Sequence, residues 1–212
     1  MSDDQPIELI VYGDFNCPFS ALASSRVRDL ERRGIAHVDW RAVEHAPDIP
    51  PSGNKVTGEL LDELQSEIEQ IRGLLTSGES DRLTRPTVQA NTKLATAAYA
   101  GTAIAERPAL RARLFDAYWC EDADLDRFAL AQLGAKESDA STAAKWQGEW
   151  LGLAKPIVPT VVFPDGYVSR GLGALSRLAR LAEEAAPPRP AADHDDQGGE
   201  APCYAHLLDD RY

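Results

Sequence analysis

The stretch Val11-Tyr12-Gly13-Asp14-Phe15-Asn16-Cys17-Pro18-Phe19-Ser20 decides how this chain is read. An apolar run over residues 7–12 enters a short polar turn and meets a cysteine followed at once by proline. Proline suits the first position of a helix, because the N–H it lacks would have no partner there and its φ is already helical. Cys17 is therefore expected to cap a helix, with its sulfur near unpaired backbone N–H groups and the positive end of the helix dipole. That setting favours thiolate over thiol and lowers the pKa below the free value of about 8.5. The residue one helical turn on, where a redox Cys-x-x-Cys motif carries its second thiol, is Ser20. A hydroxyl donates a hydrogen bond to a thiolate but cannot close a disulfide, so an active Cys17 works alone or with a distant thiol. The competing reading of Cys17 is a small buried hydrophobe at the end of a strand.

Residues 7–12 show little alternation, the pattern of a strand covered on both faces. A helix over 17–33 should end at Gly34, and a second strand should follow over 35–43, with Val38, Trp40 and Ala42 alternating against polar neighbours. Strand, helix and strand at this spacing form a βαβ unit, with parallel strands and a right-handed crossover. After the Pro-rich loop at 47–53, Leu60, Leu61, Leu64, Ile68, Ile71, Leu74 and Leu75 recur at helical steps over 57–77. Further helices are expected over 91–106, 108–120, 125–133 and 138–153. A strand over 159–163, the turn Pro164-Asp165-Gly166-Tyr167, a returning strand to 170 and a helix over 173–185 complete the pattern. The division is a βαβ half at 1–50, a helical insertion at 51–155, a ββα half at 156–186, and an acidic tail at 187–212 expected to be flexible.

The 212 residues suffice for one large domain or one domain carrying an insertion. A net charge of −12 argues against nucleic acid and anionic membranes as partners, since both attract basic surfaces. No apolar run reaches bilayer-spanning length. The acidic N-terminus does not read as a secretory signal, and three widely spaced cysteines do not form a disulfide framework, so the cytoplasm is the expected location. Cys120 falls in the helical block and is expected in or just under the core. His37 and His45 read as surface or satisfied core histidines. His194, Asp195, Asp196, Cys203 and His206 lack tight ligand spacing, so the tail reads as solvated and no metal is expected. There is no phosphate-binding loop and no Ser-His-Asp pattern.

The order β-α-β, helical block, β-β-α resembles a thioredoxin-like fold with an inserted helical block, as in the DsbA family. Several stretches resemble its FrnE-like branch: Asp14 to Pro18, Val38-Asp39-Trp40-Arg41 with Pro47 after it, and Asn91 at a helix start. Leu114-Phe115-Asp116-Ala117-Tyr118 and Val158-Pro159-Thr160 are the others. The resemblance covers residues 7–185. It implies that Pro159 is the cis-proline facing the motif cysteine, with Val158 presenting its backbone to an extended substrate or to glutathione. DsbA-like enzymes carry Cys at both ends of the motif. The related kappa-class glutathione transferases and 2-hydroxychromene-2-carboxylate isomerases carry Ser-Pro-Tyr-Ser-like motifs whose first serine helps activate glutathione. This chain, with Cys17 first and Ser20 last, departs from both.

The expected function is a thiol–disulfide oxidoreductase with an α/β thioredoxin-like fold, acting through Cys17 by way of a mixed disulfide with a disulfide-containing protein or small-molecule thiol substrate. Asn16, Pro18, Phe19 and Ser20 would shape the thiolate site, and Val158 and Pro159 would bind substrate. Cys203, in the tail, is a candidate resolving thiol. No tightly bound cofactor is expected, with glutathione or another small thiol as co-substrate. The alternatives are a glutathione-dependent isomerase or transferase of the kappa type, and a non-catalytic thioredoxin-like binding module. The oligomeric state is left open, a dimer being compatible with the sequence.

Overall fold

The computed structural model describes residues 5–185. The first strand, β1 (Ile7–Gly13), leads into helix α1 (Pro18–Arg32) and strand β2 (Ala36–Ala42). β1 and β2 pair in parallel from Ile7 opposite Ala36 to Gly13 opposite Ala42, as the sequence pattern requires. Cys17 caps α1 in extended conformation, with Pro18 at the first helical position. The other end closes on Gly34 at φ +67°: its N–H donates to Glu31 O, and the Ile35 N–H donates to Leu30 O. That pair of bonds is the Schellman closure, which needs the left-handed backbone glycine adopts without penalty. Ile7 and Glu8 are exposed, so only the later part of β1 is covered on both faces as expected.

A helical block follows: α2 (Gly58–Leu74), α3 (Lys93–Gly101), α4 (Arg107–Cys120), α5 (Arg127–Gln132) and α6 (Ala140–Leu151). Between them, β3 (Asn54–Lys55) pairs antiparallel with β4 (Val88–Gln89), a short ribbon that the loop-like sequence does not announce. The helix expected over 91–106 stops at Gly101 and resumes as a 3-10 turn at Ile104–Glu106. The Arg107 guanidinium causes the break to hold, since it donates to the carbonyls of Ala100 and Thr102 at the frayed end. Asp126 and Asp139 cap α5 and α6 through the N–H groups of Ala129 and Thr142.

The chain then returns to the sheet as β5 (Thr160–Val162) and β6 (Val168–Arg170), both antiparallel additions, and ends in α7 (Gly173–Ala185). The strand order is β2-β1-β5-β6. α1 packs against α2, α4 and α7, while α3 and α6 pack on each other and on β2. The result is an α/β thioredoxin-like fold with a helical block between its two sheet-forming halves. Phe15 joins the block to the motif turn. Fully buried, it meets Tyr99 of α3 edge-on at 5.8 Å and Phe115 of α4 at 5.1 Å, and its carbonyl accepts from Trp119 Nε1 at 2.9 Å. Removing such a ring costs about 3–5 kcal/mol. Among the described residues no helix is long and apolar enough to cross a membrane.

Candidate active site

The first turn of α1 gathers Cys17, Pro18 and Ser20, and the other half of the fold brings Val158 and Pro159 to them. The Val158–Pro159 peptide is cis, matching the family resemblance. Cys17 Sγ donates to Val158 O over 3.9 Å, a long contact of the kind sulfur makes, across 141 residues of chain. Pro159 is buried and Val158 half-buried. The Pro159 carbonyl is held by the Gly171 N–H at 2.8 Å, and the Ile157 carbonyl by Trp150 Nε1 and Thr160 Oγ1, so the turn is braced from β6, α6 and β5.

The expectation of a lowered Cys17 pKa is reversed. Burial pushes the thiol up to about 12; the Ser20 hydroxyl and N–H pull it down, and the carboxylates of Asp14 and Glu67 push it further up. Cys17 is 6 % exposed, and the loss of water around a thiolate outweighs what the start of one helix returns. The resting site holds the thiol form, consistent with an S–H donated to Val158 O. Cys17 is a free thiol.

Ser20 is fully buried, and its Oγ accepts from the Asp14 N–H at 3.2 Å. It therefore joins the sulfur to the preceding turn. Asn16 acts in the same turn: Nδ2 donates to Ala90 O at 2.9 Å, while its buried Oδ1 has no partner among the described residues. Phe19 packs half-buried against the core. Cys120 ends α4 half-buried against the core, as expected, but it is disulfide-bonded, which corrects the expectation that the widely spaced cysteines form no disulfide. Cys203, the candidate resolving thiol, and the tail histidines lie outside the described residues.

Asp14 and Thr92 carry no functional signal of their own in the sequence, and His45 reads there as a surface or satisfied core histidine. Asp14, with no exposed surface, accepts from Asn16 N and Thr92 Oγ1 at Oδ1, and from His45 N and His45 Nδ1 at Oδ2. Facing a carboxylate, which only accepts, the His45 nitrogen carries its proton. Burial lowers the His45 pKa, but the Asp14 bond and charge, joined by Glu67, raise it overall. An aspartate just before a helix cap is a turn signal; nothing local announces partners 31 and 78 residues away.

Among the described residues, cavities flank other parts of the fold. One of about 870 Å³ lies among Arg28, Trp40, Tyr99, Arg107, Arg111 and Trp146. Another of about 710 Å³ lies beside the 47–53 loop. Cys17 lines neither.

A family model, the DsbA-like thioredoxin domain, matches residues 8–145. No curated protein matches the chain. A probable DsbA oxidoreductase from Streptomyces coelicolor is similar in structure, with a TM-score of 0.62 at 14% identity over 94% of this chain and 99% of that one. A 2-hydroxychromene-2-carboxylate isomerase gives a TM-score of 0.53 at 22% identity, over 85% of this chain and 100% of that one. At such identities these likenesses speak for the fold alone. The sequence match is of another kind, running from β1 through the Cys17-Pro18 turn into α6. With the cis-proline facing that turn, it makes this chain a member of the DsbA-like thioredoxin domain family.

Proposed function

We propose that this protein is a single-cysteine thiol–disulfide oxidoreductase with Cys17 as nucleophile. The observation that carries the reading is the Cys17 sulfur at the start of α1, set against the carbonyl of the cis Val158–Pro159 peptide. An extended substrate backbone pairs with Val158 and lays its disulfide beside the sulfur. The Cys17 thiolate attacks one substrate sulfur, forming the mixed disulfide and expelling the other sulfur as a thiolate. Ser20 has no sulfur with which to resolve it. A second thiol, small and glutathione-like, attacks the substrate sulfur and returns Cys17 as its thiolate, leaving the substrate disulfide-bonded to the small thiol. Because the resting sulfur is protonated, the rate follows the small thiolate fraction and climbs with pH.

The test is incubation of the full chain with oxidised glutathione from pH 6 to 9.5, followed by mass analysis of the Cys17 peptide. A glutathione adduct on Cys17 that grows with pH and is discharged by free glutathione supports the proposal. A Cys17 peptide unmodified throughout overturns it. The buried, protonated sulfur favours a second reading, a non-catalytic binding module, and that second outcome is the one it requires. An isomerase or transferase of the kappa type would hold a small thiol and an organic substrate together at the motif.

A further inference from the structure

Asp14 is the best-connected polar group near the sulfur. Its two carboxylate oxygens take four hydrogen bonds without any exposure to solvent, and its backbone is bonded to both members of the motif. The Cys17 N–H donates to the Asp14 carbonyl at 3.2 Å, and the Asp14 N–H donates to Ser20 Oγ. Of its four donors only the His45 ring can carry a full charge, and it lies 2.7 Å from Oδ2 with its side chain 36 % exposed, open to protons from solvent.

We infer that His45 is a positioning residue for Cys17: its ion pair with Asp14 sets the charge against which the sulfur must ionise, so the thiol ionises more readily while His45 keeps its proton. Deepening the proposed function, this rests on Cys17 being a reactive thiol. With His45 protonated, the pair carries no net charge. With His45 neutral, a full negative charge remains three residues from the sulfur, in surroundings too dry to screen it. Other charged groups share the site. Glu67 of α2 acts on both His45 and Cys17, Glu63 on the same helix acts on Glu67, and Glu44 beside His45 feels Asp14 and is relieved by Lys93 of α3. His45 is the group in this set whose charge changes in the neutral range, and burial is the force it works against there. The coupling is reciprocal: a thiolate at Cys17 strengthens the hold of His45 on its proton.

The experiment is peptide-resolved alkylation of Cys17 by iodoacetamide in the full chain between pH 5.5 and 9.5. The new S–C bond replaces C–I, iodide leaves, and buffer takes the thiol proton. No disulfide substrate is involved, so exchange activity can fail while the coupling stands. For the wild type, log rate rises one decade per pH unit, flattens above pH 6.5 where His45 loses its proton, then resumes. His45→Gln keeps a donor for Asp14 without the charge. Its profile is straight, and at pH 6 it runs roughly three- to tenfold slower than the wild type, the effect of one nearby charge at an effective dielectric of about 20. His45→Lys carries the charge at all these pH values, so its profile is straight and at pH 8.5 lies about three- to tenfold above the wild type. Superimposable wild-type and Gln profiles, or identical Gln and Lys profiles, overturn the inference. Should His45→Gln fail to fold, equal rates for the wild type and His45→Lys at pH 8.5 overturn it just as well.

Discussion

Arg26 of α1 grips Glu79 with two hydrogen bonds, Nε to Oε1 at 2.7 Å and Nη2 to Oε2 at 2.9 Å, both side chains nearly out of solvent. The same guanidinium donates to Ser176 Oγ of α7 and to the Leu74 carbonyl at the end of α2. One side chain thus joins both halves of the fold to the helical block, behind the helix that carries Cys17.

Arg26→Ala leaves Glu79 buried without its partner and the Leu74 carbonyl without its donor. A loss of about 3–5 kcal/mol is expected, read as a lower urea midpoint. Burial raises the Glu79 pKa, but the Arg26 bonds and charge lower it overall, so this stability is present above the ordinary carboxylate pKa of 4.5 and is lost as pH falls through the depressed folded value. The gap between wild type and variant should narrow on acidification; a gap constant down to pH 2 would refute this assignment.

Gly13 ends β1 directly against the buried Trp40. A Cβ there would clash with Trp40 Cζ2, and the indole is only 1 % exposed, packed edge-on against Phe115 and under the Arg111 guanidinium. Gly13→Ala should cost about 1–3 kcal/mol or more by overpacking. Adding Trp40→Leu should return part of the loss, and a double variant no more stable than the additive sum would rule out the clash as the cause.

The Cys17 thiol makes a contribution at alkaline pH whose sign is fixed. Its folded pKa, pushed by burial to about 12, exceeds the ordinary value of 9.0. The folded state therefore holds the proton that the unfolded chain releases, and stability falls as pH rises from 9 toward 12. Cys17→Ala removes this dependence, so thermal midpoints of wild type and variant should run parallel below pH 9 and draw together above it. Parallel curves across pH 8–11 would contradict the buried thiol.

Ser20→Ala withdraws the hydroxyl that lowers the Cys17 pKa and leaves the Asp14 N–H without its acceptor. The expected cost is about 1–3 kcal/mol, with Cys17 alkylation slowed in parallel. Unchanged alkylation in a destabilised variant would confine Ser20 to a structural role.

Much of the fold is local enough to read from the chain. Pro18 after Cys17 and Gly34 after Arg33 bound α1 because each acts through its own backbone preference within a few residues. The pairing of β1 with β2 follows from apolar patterning and a helix too long to allow a hairpin. The break after Gly101 was not legible, because the group that stabilises it is the side chain of Arg107, acting on carbonyls five and seven residues back. The β3–β4 ribbon was missed for a related reason: two residues on each side carry no periodicity.

The site divides along the same line. The sequence alone placed a cysteine at a helix start, a serine one turn on and a proline before the returning strands, since these are properties of short motifs in order. Only the tertiary structure decided the state of the sulfur. Enclosure beside Val158, and two carboxylates brought from the turn and from α2, hold the thiol protonated where the helix start alone would ionise it. Pairing Asp14 with His45 likewise took the whole parallel strand crossover. Ionisation depends on water and charge within a few ångströms of an atom, and which residues stand there is settled when distant segments pack.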